Sequence, residues 1–439
     1  MLLSPGSLRL RPGKSASLGR FDPLSLNPIL AYEASRSMMA PLASESLDLD
    51  PANPSSLDVI TATRAGTATY TDASGNIQTA SPNTVRVDHV DGVPMMLIEP
   101  AATNTARYSE LAVNYNYNSG ITKETTNELA PNGQASAFKI TPDGSNITVR
   151  SGSSTTYSGS YNAGDVVSVS MWLKTDGYDY FVRVGGFFGS EGALFDTIDG
   201  SNVSNQANVI SASSEDYGNG WFRYKVTYTF QNSINNNYLY AGLRLYKRDA
   251  SGNPTSWDAT GETTGILVYG TQFELGSHAT SYIPTDNNIG GVTRAADKYQ
   301  ITGSDFTNFF NSGGDGTFYA EFTTRNISDR QIFVAGGNNG NSRYFYSNEG
   351  SSYMASYDGA NGQYFDTENM QTGLNRVVVT YNSSQTTGSL NAGTTQTKPH
   401  NGNLGNATEF NIGNGYGTSA HLNGHIKRLI YWPYHSDNL

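Results

Sequence analysis

At 439 residues the chain is long enough for two or three domains with proper cores, and its formal net charge of −11 argues against a nucleic-acid role for the bulk of it, since no basic field dominates. Hydrophobic residues at 37% and charged residues at 15% are both low, while 47 glycines and 28 tyrosines favour turns and strands over helices. With no cysteine, disulfides contribute nothing, and folding suits a reducing cytoplasm; the start holds no apolar run of signal-peptide length, and no stretch reaches transmembrane length.

Residues 1–60 are a different material from the rest. Pro5, Pro12, Pro23, Pro28, Pro41, Pro51 and Pro54 rule out long helices and central strands. Leu2, Leu3, Leu8, Leu10, Leu24, Leu26 and Leu30 are too many for a solvated tail, and Arg9, Arg11, Lys14 and Arg20 make its first part basic. The segment is expected to be an extended attachment arm that orders against another surface; a disordered leader is the alternative. Residues 61–105 then form a β-hairpin lead-in: Ala68 to Thr71 and Ile77 to Thr79 flank the turn Asp72-Ala73-Ser74-Gly75-Asn76, whose five residues return as Asp249-Ala250-Ser251-Gly252-Asn253.

Residues 106–285 supply strand after strand. Val167, Val169, Met171 and Leu173 form one apolar face, so Trp172 points the other way with Ser168 and Ser170. Phe222, Tyr224, Val226 and Tyr228 leave Arg223 and Lys225 outside; Leu239, Ala241, Leu243 and Leu245 leave Tyr238, Tyr240, Arg244 and Tyr246 on the opposite face. In the following strand Leu267, Tyr269, Thr271, Phe273 and Leu275 face one way, and Ile266, Val268, Gly270, Gln272 and Glu274 the other. Pro284, Gly290 and Gly291 end it, and residues 286–299 read as a linker. Residues 300–439 repeat the pattern: Phe318, Ala320 and Phe322 alternate with Tyr319 and Glu321, and Val377, Val379 and Tyr381 with Val378 and Thr380. Leu422-Asn423-Gly424-His425-Ile426 is an Asn-Gly hairpin signal. The fold class expected is all-β, two jelly-roll or β-sandwich domains behind an extended proline-rich arm.

Several of these residues are familiar as an ordered set. Gly218-Asn219-Gly220-Trp221, Tyr269 to Glu274 and Thr280-Ser281-Tyr282-Ile283-Pro284-Thr285, with Thr63-Arg64, Arg86, Leu97-Ile98-Glu99 and Thr103-Asn104 upstream, resemble the carbohydrate-binding-module-like jelly roll of phage head-spike and tail-fibre proteins. Val292-Thr293-Arg294-Ala295-Ala296-Asp297, Gly316 to Phe322 and Leu422 to Ile426 resemble the concanavalin A/laminin-G-like partner domain of that family. The likeness covers roughly residues 60–433; Tyr269 stands where the family often has tryptophan, and the first sixty residues match nothing. It implies a virion protein, a tail fibre or spike or a head fibre. Such a protein is assembled in the host cytoplasm, is homo-oligomeric (commonly a trimer), and engages host-surface glycans. Residues 1–60 would hold it to other virion proteins, with no membrane insertion and no nucleic-acid partner.

Sugar recognition needs flat aromatic faces beside planar polar groups. The faces turned away from the core supply Trp172, Tyr238, Tyr240 and Tyr246 with Arg223, Arg244, Gln272 and Glu274 as the candidate glycan-binding set, packing against a neighbouring module or subunit being the competing use. Trp221, behind its Gly-Asn-Gly turn, reads as a structural plug. No Glu is followed two residues later by Asp, so the paired carboxylates of concanavalin-like retaining glycosidases are missing, and Glu215-Asp216 and Asp196/Asp199 sit in polar turns. No G-x-S-x-G elbow occurs. If Asn423-Gly424 is a two-residue turn, Leu422 pairs with His425 and His421 with Ile426, leaving the two histidines on opposite faces and unable to share a zinc. No cofactor is called for; Asp143-Gly144-Ser145-Asn146 is where a structural Ca²⁺ would sit, an ordinary polar turn being the alternative. The expected function is glycan binding by a virion protein without cleavage. The alternatives are a purely structural capsid or tail component whose jelly rolls mediate subunit contacts, and a polysaccharide depolymerase.

Overall fold

The computed structural model describes residues 45–110, 117–144, 148–151, 160–177, 181–186, 191–235, 241–285, 291–311, 314–325, 330–336, 341–348, 351–358, 362–367, 371, 373–399, 407–415 and 421–436. They build an all-β molecule of two sandwiches, with a single short α-helix, Gly303–Phe309, among the described residues. Alternation of apolar and polar residues drives this. Each strand has one face that can be buried only against a second sheet.

The sandwich formed largely from the C-terminal part has an eight-stranded sheet and a seven-stranded sheet. In the first, strands Leu374–Tyr381, Gly316–Thr324 and Gly424–Trp432 lie at the centre. Phe318, Ala320, Phe322, Val377, Val379 and Tyr381 face the core as their alternation predicts, joined by Tyr299, Ile301, Phe410 and Ile412 from the second sheet. The rings of Phe318 and Phe410 stack across the two layers at 5.4 Å.

The N-terminal part of the chain is woven into this same sandwich. Leu47–Leu49 pairs with Gly424–Trp432 (Leu47 opposite Tyr431), Val93–Ile98 pairs with that strand farther along the same edge, Arg86–Val90 adds to it, and Thr61–Thr63 pairs with Lys298–Thr302. Two expectations are corrected here. An attachment arm reaching residue 60 gives way from residue 45 onward, because Leu47, Leu49 and Leu57 are core side chains; residues 1–44 lie outside the described residues. The lead-in at 61–105 is not one hairpin unit, since most of its strands belong to the sandwich sheets while Ala68–Thr71 and Ile77–Ala80 form a separate hairpin. Leu49 is fully buried, so Leu49→Ala is expected to lower stability by about 2–5 kcal/mol, read as a shifted urea midpoint at unchanged slope. A loss under about 0.5 kcal/mol would mean the segment is merely laid on the surface.

The jelly roll is therefore an insertion between two halves of the other sandwich. Its entry strand Ala102–Asn104 and its exit strand Val292–Arg294 pair antiparallel, Thr103 opposite Thr293. The expected linker at 286–299 thus contains ordered strands, with residues 286–290 outside the described set.

One jelly-roll sheet runs Val209–Asp216, Trp221–Thr229, Val166–Asp176, Gly265–Leu275, Phe138–Pro142, Ile121–Thr125. The facing sheet runs Asn202–Asn205, Gly192–Asp196, Phe181–Gly185, Ala241–Arg248, Thr148–Ser151, Tyr117–Ser119. Val167, Val169, Met171 and Leu173 meet Val182, Val184, Leu243 and Leu245 between the layers.

The strand Gly265–Leu275 departs from strict alternation. Ile266 and Val268 face the core, and so does Phe273, while Leu267 and Tyr269 face outward. The register against Val166–Asp176 shifts between Ser170 and Trp172, so Gly270 and Thr271 together oppose Met171 in a bulge that swaps the faces. Gly270 has φ +64°, and a Cβ there would stand 2.7 Å from the Trp172 ring, so glycine is required.

The repeated five-residue turn is a true repeat of geometry. The Asp72 and Asp249 carboxylates each accept the backbone N–H groups two and four residues on, and Gly75 and Gly252 take φ +81° and +86°. The Asn423-Gly424 hairpin does not form. Asn423 has φ +49°, the next strand starts at Gly424, and His425 pairs with Thr323 on one side and Leu97 on the other. A Cβ on Gly424 would lie 2.1 Å from the Thr323 carbonyl oxygen, so this glycine serves close strand approach rather than a turn.

Candidate functional site

The jelly roll has two outward faces, and they have different fates. On the sheet carrying Trp172, the central residues opposite the core are sealed. Trp172 is 1% exposed and packs with Ile77, Ala130, Ala137, Trp221, Leu267, Tyr269 and Tyr282. Tyr217 and Tyr282 meet its ring edge-on at 5.5 and 5.4 Å, and the Arg223 guanidinium lies over it at 4.4 Å. The cover is the hairpin bearing Ile77 together with Thr280 to Thr285, which folds back over the sheet.

Four of the eight predicted glycan-binding residues hold that cover down. Arg223 donates to Ser170 Oγ at 3.0 Å and to the Thr280 carbonyl at 2.7 Å. Gln272 donates to the Ser281 carbonyl and to Glu274, and its Oε1 accepts from the Ile283 N–H at 2.7 Å. Glu274 accepts from the Thr280 N–H at 2.9 Å and hydroxyl at 2.6 Å; burial pushes its carboxyl above the usual range against these hydrogen bonds. Trp172, Arg223, Gln272 and Glu274 are thus corrected from sugar ligands to the internal fastening of the jelly roll, because the face they share is covered by the chain itself. Trp221 fills the same cluster and donates its Nε1–H to the Leu129 carbonyl at 3.0 Å.

The outward face of the other sheet is where the remaining described candidates meet. Register sets Asp196, Phe181 and Tyr246 side by side on three adjacent strands, then Leu194, Arg183 and Arg244, then Gly192, Gly185 and Gly242. Arg183 and Arg244 are directly opposite one another, and both guanidiniums lie against the Tyr246 ring, at 5.1 and 5.4 Å from its centre. Both arginines and Tyr246 are half-buried. Arg248 lies over the Phe181 ring at 4.2 Å and pairs with Asp196 at 2.7 Å. Gly192 lets the Arg183 stem lie across it, since a Cβ there would stand 3.0 Å from Arg183 Cγ. Tyr238 and Tyr240 lie outside the described residues.

Sequence reasoning placed Arg244 and Tyr246 on this face and missed Arg183, Phe181, Asp196 and Arg248. The alternation of Phe181 and Arg183 with core-facing Val182 and Val184 carries the signal, but only the pairing of strands far apart in sequence brings them beside Tyr246. Chemically the arrangement offers planar cations lying over a flat ring, groups that can donate hydrogen bonds to a ligand.

Charged pairs flank the meeting of the two sandwiches: Lys225 with Glu215 inside the jelly roll, and Arg325 with Glu99 at 2.8 Å and His425 Nε2 with Asp88 Oδ2 at 3.0 Å inside the other sandwich. Burial pushes the Lys225 ammonium down to about 8, opposed by the Glu215 carboxylate. Among the described residues no three His, Asp or Glu side chains are grouped to hold a metal, and no helix is long and apolar enough to cross a membrane. Ser145 and Asn146 of the loop considered for Ca²⁺ lie outside the described residues.

No family model and no curated protein matches the chain. Among solved structures, similarity extends to the CBM40 domain of the Ruminococcus gnavus IT-sialidase bound to alpha2,3 sialyllactose, with 15% identity over 29% of this chain and 80% of that one and a TM-score of 0.26. The LG4-5 domains of the mouse laminin alpha1 chain match with 10% identity over 66% of this chain and 88% of theirs, TM-score 0.24. The LG1-3 region of the laminin alpha2 chain matches with 14% identity over 65% and 64%, TM-score 0.24.

Proposed function

We propose that this chain is a carbohydrate-binding virion protein of a phage, a tail fibre or spike or a head fibre, that holds host-surface glycan without cleaving it. The observation carrying this reading is the half-buried Tyr246 ring with the Arg183 and Arg244 guanidiniums over it, on the outward face of the second jelly-roll sheet. An aromatic face of that kind stacks on the apolar side of a pyranose, and the guanidinium donors beside it meet hydroxyl or charged groups of the sugar. The resemblance of residues 60–433 to phage spike and fibre proteins supplies the setting. Attachment to the particle falls to residues 1–44, since the segment from 45 onward is committed to the sandwich core. Assembly as a homo-oligomer, a trimer on that resemblance, would multiply a weak single-site affinity.

The competing structural reading draws on the first sheet, the centre of whose outward face is used for packing. Tyr246→Ala separates the two. Losing a stacking ring is expected to weaken glycan binding about tenfold or more while thermal stability and incorporation into particles stay near those of the parent. Particles that fail to assemble, with glycan capture unchanged in those that do, would favour a purely structural role.

A further inference from the structure

The seven-stranded sheet of the C-terminal sandwich carries a pattern that the Tyr246 site does not use. Its strands run Thr61–Thr63, Lys298–Thr302, Glu409–Ile412, Arg330–Gly336, Asn341–Asn348, Ser351–Asp358, Gly362–Thr367. Phe410 and Ile412 belong to the core, so Asn411 between them marks the other face. Pairing carries that face across the sheet. Gln300 is opposite Asn411, Asn411 opposite Val334, Val334 opposite Tyr344, Tyr344 opposite Ala355, and Ala355 opposite Tyr364. Alternation from that row adds Tyr346, directly opposite Tyr353, and Tyr357. Five tyrosines therefore hold positions on one face of three adjacent strands, the face turned away from the core.

Solvation does not account for them. The other half of the same face is polar and bonded to itself: Gln300 donates to Asn411 at 2.7 Å, and Asn411 to Glu409 at 2.9 Å. Nor does the core need them, since Phe333, Phe345, Met354 and Phe365 already fall in one row with the core residue Ile412. The tyrosine positions spread about 10 Å across the strands and about 14 Å along them. Asp366 is the one charged residue at the positions of this face on those three strands. Tyrosine joins an apolar ring to a hydroxyl, which matches a pyranose with its apolar side and hydroxyl rim. A polyanion finds no cation at these positions, on a chain whose net charge is −11. We infer that the outward face of Asn341–Asn348, Ser351–Asp358 and Gly362–Thr367 is a second carbohydrate-binding surface, and that it takes a neutral polysaccharide. The inference rests on the carbohydrate-binding reading of the chain and extends it to the other sandwich, so that one chain grips a glycan at two places.

Affinity electrophoresis of the full chain tests it, in gels containing dextran, galactomannan or xyloglucan, with polygalacturonate as the acidic comparison. At least one neutral polymer is expected to retard the unaltered chain, equally at low and at moderate salt, since no ion pair is made. Tyr346→Ala with Tyr353→Ala removes the directly opposed pair. It should weaken that binding about tenfold with Tyr246 in place, and abolish what remains in Tyr246→Ala. Near-UV circular dichroism checks that the alanine pair is folded. Hydroxyl-radical footprinting of the unaltered chain needs no substitution, and bound polymer should protect residues 341–367. Unchanged retardation of a folded alanine pair, or no protection of 341–367, overturns the inference. Self-association lost in the alanine pair by sedimentation velocity, with retardation kept, makes a second copy of the chain the occupant and also overturns it. Retardation by polygalacturonate alone overturns the neutral second surface and leaves carbohydrate binding intact. No retardation by any polymer overturns the carbohydrate reading, and this inference with it.

Discussion

Asp297→Ala is expected to cost about 3–5 kcal/mol of stability, among the largest losses any single substitution would cause in this chain. The Asp297 carboxylate is fully buried and receives Arg64 at 2.9 Å, the Arg86 guanidinium, and the backbone N–H of Glu99 at 3.0 Å. Glu99, also fully buried, takes Arg86 at 3.0 Å, Arg294 at 3.4 Å, Arg325 at 2.8 Å, and both the N–H and hydroxyl of Ser281. These groups come from the lead-in, the jelly-roll exit, the exit strand and the sandwich, so the cluster is where the inserted domain is locked to its host. Removing one carboxylate strands guanidiniums in a site closed to water, and an uncompensated buried charge costs far more than the intact pair contributes. Urea unfolding of Asp297→Ala against the parent measures it; a loss below about 1 kcal/mol would mean that water reaches the cluster.

The same cluster sets an acid limit. Burial raises the Glu99 carboxyl, but the charges of Arg294, Arg86 and Arg325 outweigh it and hold the group well below its ordinary value of 4.5. A carboxyl depressed on folding contributes stability that is fully present above about pH 4.5 and is lost as the pH falls through the folded value. Stability should therefore fall steeply with acid below that point, and the fall should be shallower in Glu99→Gln, whose side chain no longer titrates.

Trp172→Ala is the second large effect, and its kind matters as much as its size. The ring is 1% exposed and touches Tyr217, Tyr269 and Tyr282, so its removal is expected to lower stability by about 3–5 kcal/mol. Glycan affinity, measured where the variant is still folded, should stay within about twofold of the parent, because the ring faces the chain's own Thr280–Thr285 cover and no ligand. A variant as stable as the parent that no longer bound glycan would return Trp172 to the binding surface.

Strand identity and inward faces were legible from residue order. Val167, Val169, Met171 and Leu173, or Phe318, Ala320 and Phe322, alternate because a strand has a period of two, and that period is a local property. The two Asp-Ala-Ser-Gly-Asn turns were legible for the same reason: the aspartate and the glycine act within five residues. The outward direction of Trp172 was legible as well.

The cover over Trp172 was not. It comes from the hairpin at Ile77 and from Tyr282, about a hundred residues away on either side, and alternation reports which way a side chain points without reporting what waits there. The bulge at Gly270–Thr271, the pairing of Leu47 with Tyr431, the meeting of Arg183 with Arg244, and the assembly of Arg64, Arg86, Glu99 and Asp297 likewise depend on strands distant in sequence. Period and turn chemistry, acting between near neighbours, determined that this chain makes sheets and how each strand faces. Tertiary structure alone decided which outward face stays open to a ligand, because covering a face requires another segment to arrive from far along the chain and pack.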